Sequence, residues 1–278
     1  MFDAYRRPLK FAAAVVALLA LTGCQMMMNA APSRSGEINA DERERDIRLA
    51  QAARSAGQQD SALGVYQKLL RAEPDASDIL TAMAETYFEQ GAHARALAAY
   101  DQALAKESTT GGERAQALTG RGRTLLALAR SASAERDFSD ALTLKPDDPV
   151  ALNGRGVAAD MQGRHMNAQA FYRQALAHDP GNERVRSNLG LSFALAARFD
   201  EAVAELGSLA KNTEQVPKAR HNLALALGLM GRSAQARQLT NGELEASQAD
   251  GNELFYKAIR GAVAPEVATG KTGAIPQK

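Results

Sequence analysis

Two stretches decide the fold: Gly57-Gln58-Gln59-Asp60-Ser61-Ala62-Leu63-Gly64-Val65-Tyr66 and Gly91-Ala92-His93-Ala94-Arg95-Ala96-Leu97-Ala98-Ala99-Tyr100, which share Gly-x4-Ala-x3-Tyr at an offset of 34 residues. The alanine of this pattern recurs as Ala62, Ala96, Ala134, Ala168, Ala202 and Ala236, at steps of 34, 38, 34, 34 and 34. Twelve residues before each lies a second small residue: Ala50, Ala84, Gly122, Gly156, Gly190 and Ala224. Two antiparallel helices approach closely only where neither carries a bulky side chain, so each pair of small residues marks the contact of one helical hairpin. The large residues Tyr66, Tyr100, Phe138, Tyr172 and Leu206 follow the alanine by four positions, on the same face of the second helix. Pro74, Pro146 and Pro180 forbid continuation of the helices before them, and Gly57, Gly91, Gly163 and Gly231 mark the turns inside hairpins.

A period of 34 built from helix-turn-helix units resembles the tetratricopeptide repeat. The resemblance implies an all-α tetratricopeptide repeat superhelix of about six repeats over residues 43–242, with a capping helix expected at 243–260. The Gly-, Pro- and Ala-rich residues 261–278 read as a disordered tail. The 38-residue step places four extra residues near Ser108-Thr109-Thr110-Gly111-Gly112, expected as a loop tip between repeats two and three. Repeat six has Thr240 where an aromatic is expected, and repeats three and five have Ala129 and Ala197 where the hairpin glycine is expected. Composition agrees with thin layers of helix: the 278 residues include 57 Ala and 31 Leu but 14 aromatics and no tryptophan.

Residues 1–23 read as a separate leader. Arg6, Arg7 and Lys10 precede the apolar run Phe11 to Leu21, in the order of a secretory signal peptide. That run is too short to span a bilayer, which needs about 20 residues. It ends Leu21-Thr22-Gly23-Cys24, which resembles the bacterial lipobox and makes Cys24, the chain's one cysteine, the lipidation site. Two or more acyl chains on Cys24 would hold the protein stably on a membrane, at about 0.8 kcal/mol per buried CH₂. Gln25 follows instead of Asp, which by resemblance to lipoprotein sorting rules points to the periplasmic face of the outer membrane of a Gram-negative bacterium. Residues 24–42 form the lipidated start and a flexible tether, in which Met26-Met27-Met28 read as filler. Without residues 1–23 the formal charge of +1 becomes 30 basic against 31 acidic residues, a balance that argues against nucleic-acid binding.

The residues offer no chemistry of a reaction. His93, His165, His178 and His221 are scattered in the register, with no pair at the spacing of a helical metal site, and no G-x-S-x-G elbow is present. The expectation is a non-enzyme without cofactor or metal. A stack of hairpins instead offers a curved surface lined by the first helix of each unit. Asn188 and Asn222 occupy the same place in that helix, 34 residues apart, and Asn153 lies one residue off register in the preceding unit. An asparagine amide can donate to and accept from a peptide backbone. Arg184, Arg186, Lys218, Arg220 and, two units earlier, Arg123 add positive charge. Together these residues suit an acidic or carboxylate-ended peptide, with solvated polar residues on an exposed helix as the alternative.

The lipobox, the repeats and the segments Val185-Arg186-Ser187-Asn188-Leu189-Gly190-Leu191 and Ala219-Arg220-His221-Asn222-Leu223-Ala224-Leu225-Ala226-Leu227-Gly228 resemble the TadD family. These are tetratricopeptide lipoproteins of the tight-adherence (Flp) pilus apparatus. The resemblance, most specific over residues 149–232, implies a pilotin-like periplasmic adaptor that binds a secretin subunit and assists its assembly or localisation. Two other readings stay open. One is a lipid-anchored scaffold for outer-membrane barrel assembly or for cell-wall enzymes; the other is an enzyme-linked role in cell-wall metabolism, which has no active-site support.

Overall fold

A computed structural model describes residues 39–106, 111–211 and 217–240. The leader, Cys24, most of the tether, the segment 243–260 and the tail lie outside the described residues. Among the described residues twelve helices follow in order: α1 Ala40–Ser55, α2 Gln59–Ala72, α3 Ser77–Glu89, α4 His93–Leu104, α5 Gly111–Ala127 and α6 Ser131–Leu144. Then come α7 Pro149–Asp160, α8 His165–His178, α9 Glu183–Leu195, α10 Phe199–Leu209, α11 Pro217–Leu229 and α12 Ser233–Leu239. No strand occurs among the described residues. Each odd-numbered helix packs on the even-numbered helix that follows it, and each hairpin packs on the next, giving the all-α stack of six units that the period predicts.

Every hairpin turn is closed in the same way. The residue after the turn donates its N–H to a carbonyl five positions back, from Gln58 to Ala53 through Arg232 to Leu227, at 2.8–2.9 Å in all six units. This closure requires a left-handed residue at the end of the first helix. Gly57, Gly91, Gly163 and Gly231 supply it with φ of 73° to 86°. Ala129 and Ala197 adopt the same conformation at φ 57° and 58°, so the two alanines preserve the turn at a backbone cost of about 1–2 kcal/mol each. Between units, Pro74, Pro146 and Pro180 sit inside turns closed by Ala76 N–H to Glu73, Asp148 N–H to Lys145 and Asn182 N–H to Asp179. Asp148 and Asn182 then cap α7 and α9 by accepting from Val150 and Val185 N–H.

The small residues lie where the hairpin argument put them. Ala62, Ala96, Ala134, Ala168 and Ala202 are completely buried, and Ala236 is nearly so. Tyr66, Tyr100, Phe138, Tyr172 and Leu206 are the large residues of the core, all at most 1% exposed. Burying each contributes about 2–3 kcal/mol. Gly122, Gly156 and Gly190 accept these side chains within their own unit: a Cβ there would lie 2.8, 2.5 and 2.5 Å from Phe138, Tyr172 and Leu206. A second contact is absent from the small-residue pattern read in the sequence. Gly120 and Gly154 receive Tyr100 and Phe138 of the preceding unit, with Cβ clearances of only 2.3 Å, so the Phe138 ring is held between Gly122 and Gly154.

The expected loop tip is corrected in part. Ser108, Thr109 and Thr110 lie outside the described residues, but Gly111 and Gly112 begin α5, which at 17 residues is longer than the other first helices. The extra residues are used at least partly to extend a helix by about one turn. Thr240, the expected aromatic position of the last unit, is buried, and its Oγ1 donates to the carbonyls of Ala236 and Arg237.

Candidate interaction groove

The first helices α5, α7, α9 and α11 lie side by side, α9 in contact with both α7 and α11. One face of each is left after its other faces have packed on its hairpin partner and its neighbours. Residues four, seven and eleven positions apart share that face. On α9 they are Arg184, Asn188, Leu191 and Leu195; on α11 they are Lys218, Asn222, Leu225 and the buried Leu229; on α7 and at its end they are Val150, Gly154, which Phe138 covers, Val157 and Met161.

The polar half of the face is a ladder between units. Asn188 Nδ2 donates to Asn153 Oδ1 at 2.9 Å, and Asn222 Nδ2 donates to Ser187 Oγ at 3.1 Å. The structure therefore brings Asn153 and Asn188 together, Asn153 as the acceptor that orients its neighbour. Each bond uses one N–H of an amide and leaves its carbonyl oxygen and second N–H as capacity for a ligand. Arg184 and Lys218 are exposed beside this ladder. Arg186 is turned away, with Nε 2.7 Å from Glu205 Oε1 in α10. Arg123 sits two units away over the Phe88 ring, 4.8 Å from its centroid, and does not join the amides.

The apolar half was missed in the sequence. Val150, Met161 and Leu195 are 49%, 47% and 44% exposed, large for apolar side chains, and Val157, Leu191 and Leu225 are half-buried beside them. A signal existed: the columns Val157/Leu191/Leu225 and Met161/Leu195/Leu229 repeat at 34 residues just as the alanines do. The first two units differ. There Arg54 Nη1 lies 2.9 Å from Glu85 Oε2, and Gln116 Nε2 of the third unit donates to Glu85 Oε1, so the polar groups of this region satisfy one another.

A buried polar cluster fixes the junction of units four and five at the edge of the groove. Asp160 Oδ1 accepts from Ser192 Oγ at 2.8 Å and faces His165 Nδ1 at 2.8 Å, and Asp160 Oδ2 accepts from Tyr172 Oη at 2.9 Å. Burial, reinforced by the Asp160 charge, pushes the Tyr172 hydroxyl well above the ordinary tyrosine range. Among the described residues no group of three His, Cys, Asp or Glu side chains is arranged to hold a metal ion, and no helix is long and apolar enough to cross a membrane.

Comparison with known proteins matches this architecture. A family profile described as tetratricopeptide repeat matches residues 47–111 and 119–183, and a second of the same description matches 161–220, together more than half of the chain. A thermophilic repeat protein of Thermus thermophilus is 25% identical, with a TM-score of 0.54 over 66% of this chain and 98% of its own. The Cut9–Hcn1 hetero-tetramer of the APC/C contains a chain with a TM-score of 0.66 at 16% identity, over 76% of this chain and 42% of that one. The Sinorhizobium fredii protein y4yS is 37% identical over 79 residues, which is 28% of this chain and 43% of that protein. The match thus spans less than half the length of this curated relative.

Proposed function

Because the chain belongs to the tetratricopeptide repeat family, whose repeats are scaffolds for protein–protein interaction, we propose that it is a pilotin-like adaptor anchored to the periplasmic face of the outer membrane through lipidated Cys24. It binds a segment of a secretin subunit in the groove of repeats four to six and assists secretin assembly or localisation for tight-adherence (Flp) pilus biogenesis. Proteins of this family are generally non-catalytic, and the reading gives the chain no reaction of its own.

The observation that carries the binding half is the ladder of Asn188 and Asn222. Two amides one repeat apart, each oriented by a neighbour from the preceding unit, sit beside the exposed cations Arg184 and Lys218. The envelope half rests on the leader and the Leu21-Thr22-Gly23-Cys24 sequence, and the choice of a secretin on the resemblance to the TadD family.

The test joins the two. In a strain lacking the protein, secretin multimers are followed by membrane fractionation after complementation with the natural chain, with Cys24→Ala, or with Asn188→Ala/Asn222→Ala. The expected result is rescue by the natural chain alone. Secretin multimers that reach the outer membrane normally without the protein would remove the pilotin reading. Recovery of a barrel-assembly component or a cell-wall enzyme in place of a secretin would turn it to the other envelope scaffolds.

A further inference from the structure

The groove carries more information than its amides, because its two halves differ in chemistry: the basic half runs through units five and six and the apolar half through units four to six. Positions near the start of α9 and α11 hold Arg184 and Lys218, where α7 has the exposed Val150; positions seven and eleven residues later hold the apolar row that includes Met161 and Leu195 and ends on the buried Leu229. Seven residues of helix advance about 10 Å, so the basic and apolar rows are separated by about the diameter of one α-helix. Adjacent packed helices are about 8–10 Å apart, and a ligand helix lying across them advances about 10 Å per heptad, which keeps one apolar turn in step with each unit. An extended strand presents same-side residues about every 6.6 Å and falls out of step by the second unit.

Charge gives the sign of the ligand. Arg186 and Arg198 of the fifth unit have carboxylate partners, in Glu205 and Glu201, whereas Arg184 and Lys218 are exposed and have none among the described residues. The apolar row has exposed members that an isolated protein would be more stable covering: Met161 and Leu195 retain 47% and 44% of their surface. In the second unit the equivalent positions are the charged Glu85 and Glu89, and Arg54 of the first unit neutralises Glu85 and approaches Glu89 at 3.6 Å.

We propose that repeats four to six receive an acidic amphipathic α-helix of the partner, laid across α7, α9 and α11. Its apolar stripe packs on Met161, Leu195 and the row between them, and its carboxylates flank that stripe toward Arg184 and Lys218. Asn188 and Asn222 meet polar side chains at the edge of the stripe. This assignment rests on the part of the functional reading that makes this face the partner surface, and adds the partner's secondary structure and charge.

The experiment uses the full-length chain in detergent and three fluorescein-labelled peptides of about 18 residues, long enough to cross three units as a helix. One has leucines at heptad spacing flanked by Glu, one has Lys in place of Glu, and one has the Glu sequence broken by a central proline. Fluorescence polarisation is expected to show binding of the Glu peptide alone. Met161→Glu/Leu195→Glu should weaken it at least about tenfold, since each change sets a charge against an apolar stripe. Arg184→Glu/Lys218→Glu should move the preference to the Lys peptide, whereas Arg48→Ala at the far end should change nothing. Circular dichroism of each variant separates loss of binding from loss of fold, and these exposed sites leave the core untouched.

No binding of the Glu peptide up to about 1 mM, equal binding of the Lys or proline-broken peptide, or indifference to the groove variants overturns the assignment. Sedimentation showing a dimer that dissociates in Met161→Glu/Leu195→Glu also overturns it, because the face would then hold a second copy. A secretin released by Asn188→Ala/Asn222→Ala while all peptides fail removes the acidic helix and leaves the adaptor reading. Peptide binding as expected, with secretin assembly independent of the protein, removes the pilotin role and leaves the groove's preference.

Discussion

Replacing a helical glycine by alanine should have opposite effects at two places in this stack, and the difference tests how its units are joined. Gly64 lies exposed in the middle of α2, and a Cβ there meets nothing within 4 Å. Gly64→Ala should therefore stabilise the protein by about 0.5–1 kcal/mol, the conformational gain alone. At Gly154 in α7 the same Cβ would lie 2.3 Å from Cζ and 2.4 Å from Cε1 of Phe138, more than 1 Å inside the usual contact distance of about 3.5–4.0 Å. The ring cannot retreat: Phe138 is fully buried, and Gly122 of α5 closes its other side. The two hairpins must part, and overpacking of this kind costs about 1–3 kcal/mol, toward the upper end where backbone has to move. After the helical gain of about 1 kcal/mol, Gly154→Ala should destabilise by about 1–2 kcal/mol. Urea denaturation followed by circular dichroism measures both, and hydrogen exchange should rise first in α6 and α7, because repeat arrays lose stability at the affected interface. Phe138→Leu should partly rescue Gly154→Ala, with a coupling of about 1–2 kcal/mol in a double-mutant cycle. A Gly154→Ala protein as stable as Gly64→Ala would refute the account of the seam.

Two further predictions follow from backbone and charge. Ala129→Gly and Ala197→Gly should each stabilise by about 0.5–1 kcal/mol, the strain relieved at φ 57° and 58° less the entropy that glycine adds to the unfolded chain; unchanged denaturation midpoints would contradict this. The Asp46 carboxylate beside Lys68 and the Glu201 carboxylate beside Arg198 are held below the ordinary carboxylate range; burial raises Glu135, but hydrogen bonds from Arg164 and Gln162 outweigh it and lower it too. Groups depressed in the fold contribute stability that is complete above their unfolded values, near pH 4, and is lost as pH falls through the lower folded values. Stability measured against pH should drop on the acid side, and Glu135→Gln should flatten that drop; a protein that grows more stable on acidification would exclude these ion pairs as contributors.

The alanine column made the hairpins legible because close approach tolerates no other chemistry at that contact, so Ala62 through Ala236 carry the fold in a single residue type. The seam between units was hidden for the opposite reason. Gly120 and Gly154 share the 34-residue register, but their role shows only when the structure sets Tyr100 and Phe138 of the preceding unit against them, 20 and 16 positions away in the chain. In the groove the amides stood out by type, whereas nothing in residue type set Val157, Met161, Leu191 and Leu195 apart from the other apolar residues of their helices. An apolar residue on a helix reads as buried unless the face it occupies is shown to lack a neighbour.

The position that holds glycine at Gly120 and Gly154 holds Asn188 and Asn222 in the next two units, so the ladder occupies the register of the seam. Asn153 then has a definite task. Its Oδ1 accepts the hydrogen bond that fixes the Asn188 amide, and it belongs to the preceding unit. Asn153→Ala removes a half-buried bond with a net contribution of about 0.5–1.5 kcal/mol and creates no cavity in the core, so the denaturation midpoint should move little. Partner binding should fall by up to about tenfold, because the Asn188 amide must then be ordered when the ligand arrives. Asn153→Asp retains an acceptor and should keep most of the affinity for a neutral segment, while weakening an acidic one by repulsion. Those two variants separate orientation from direct contact. If Asn153→Ala leaves binding untouched while Asn188→Ala abolishes it, the asparagines act singly, and the groove reads its ligand one repeat at a time.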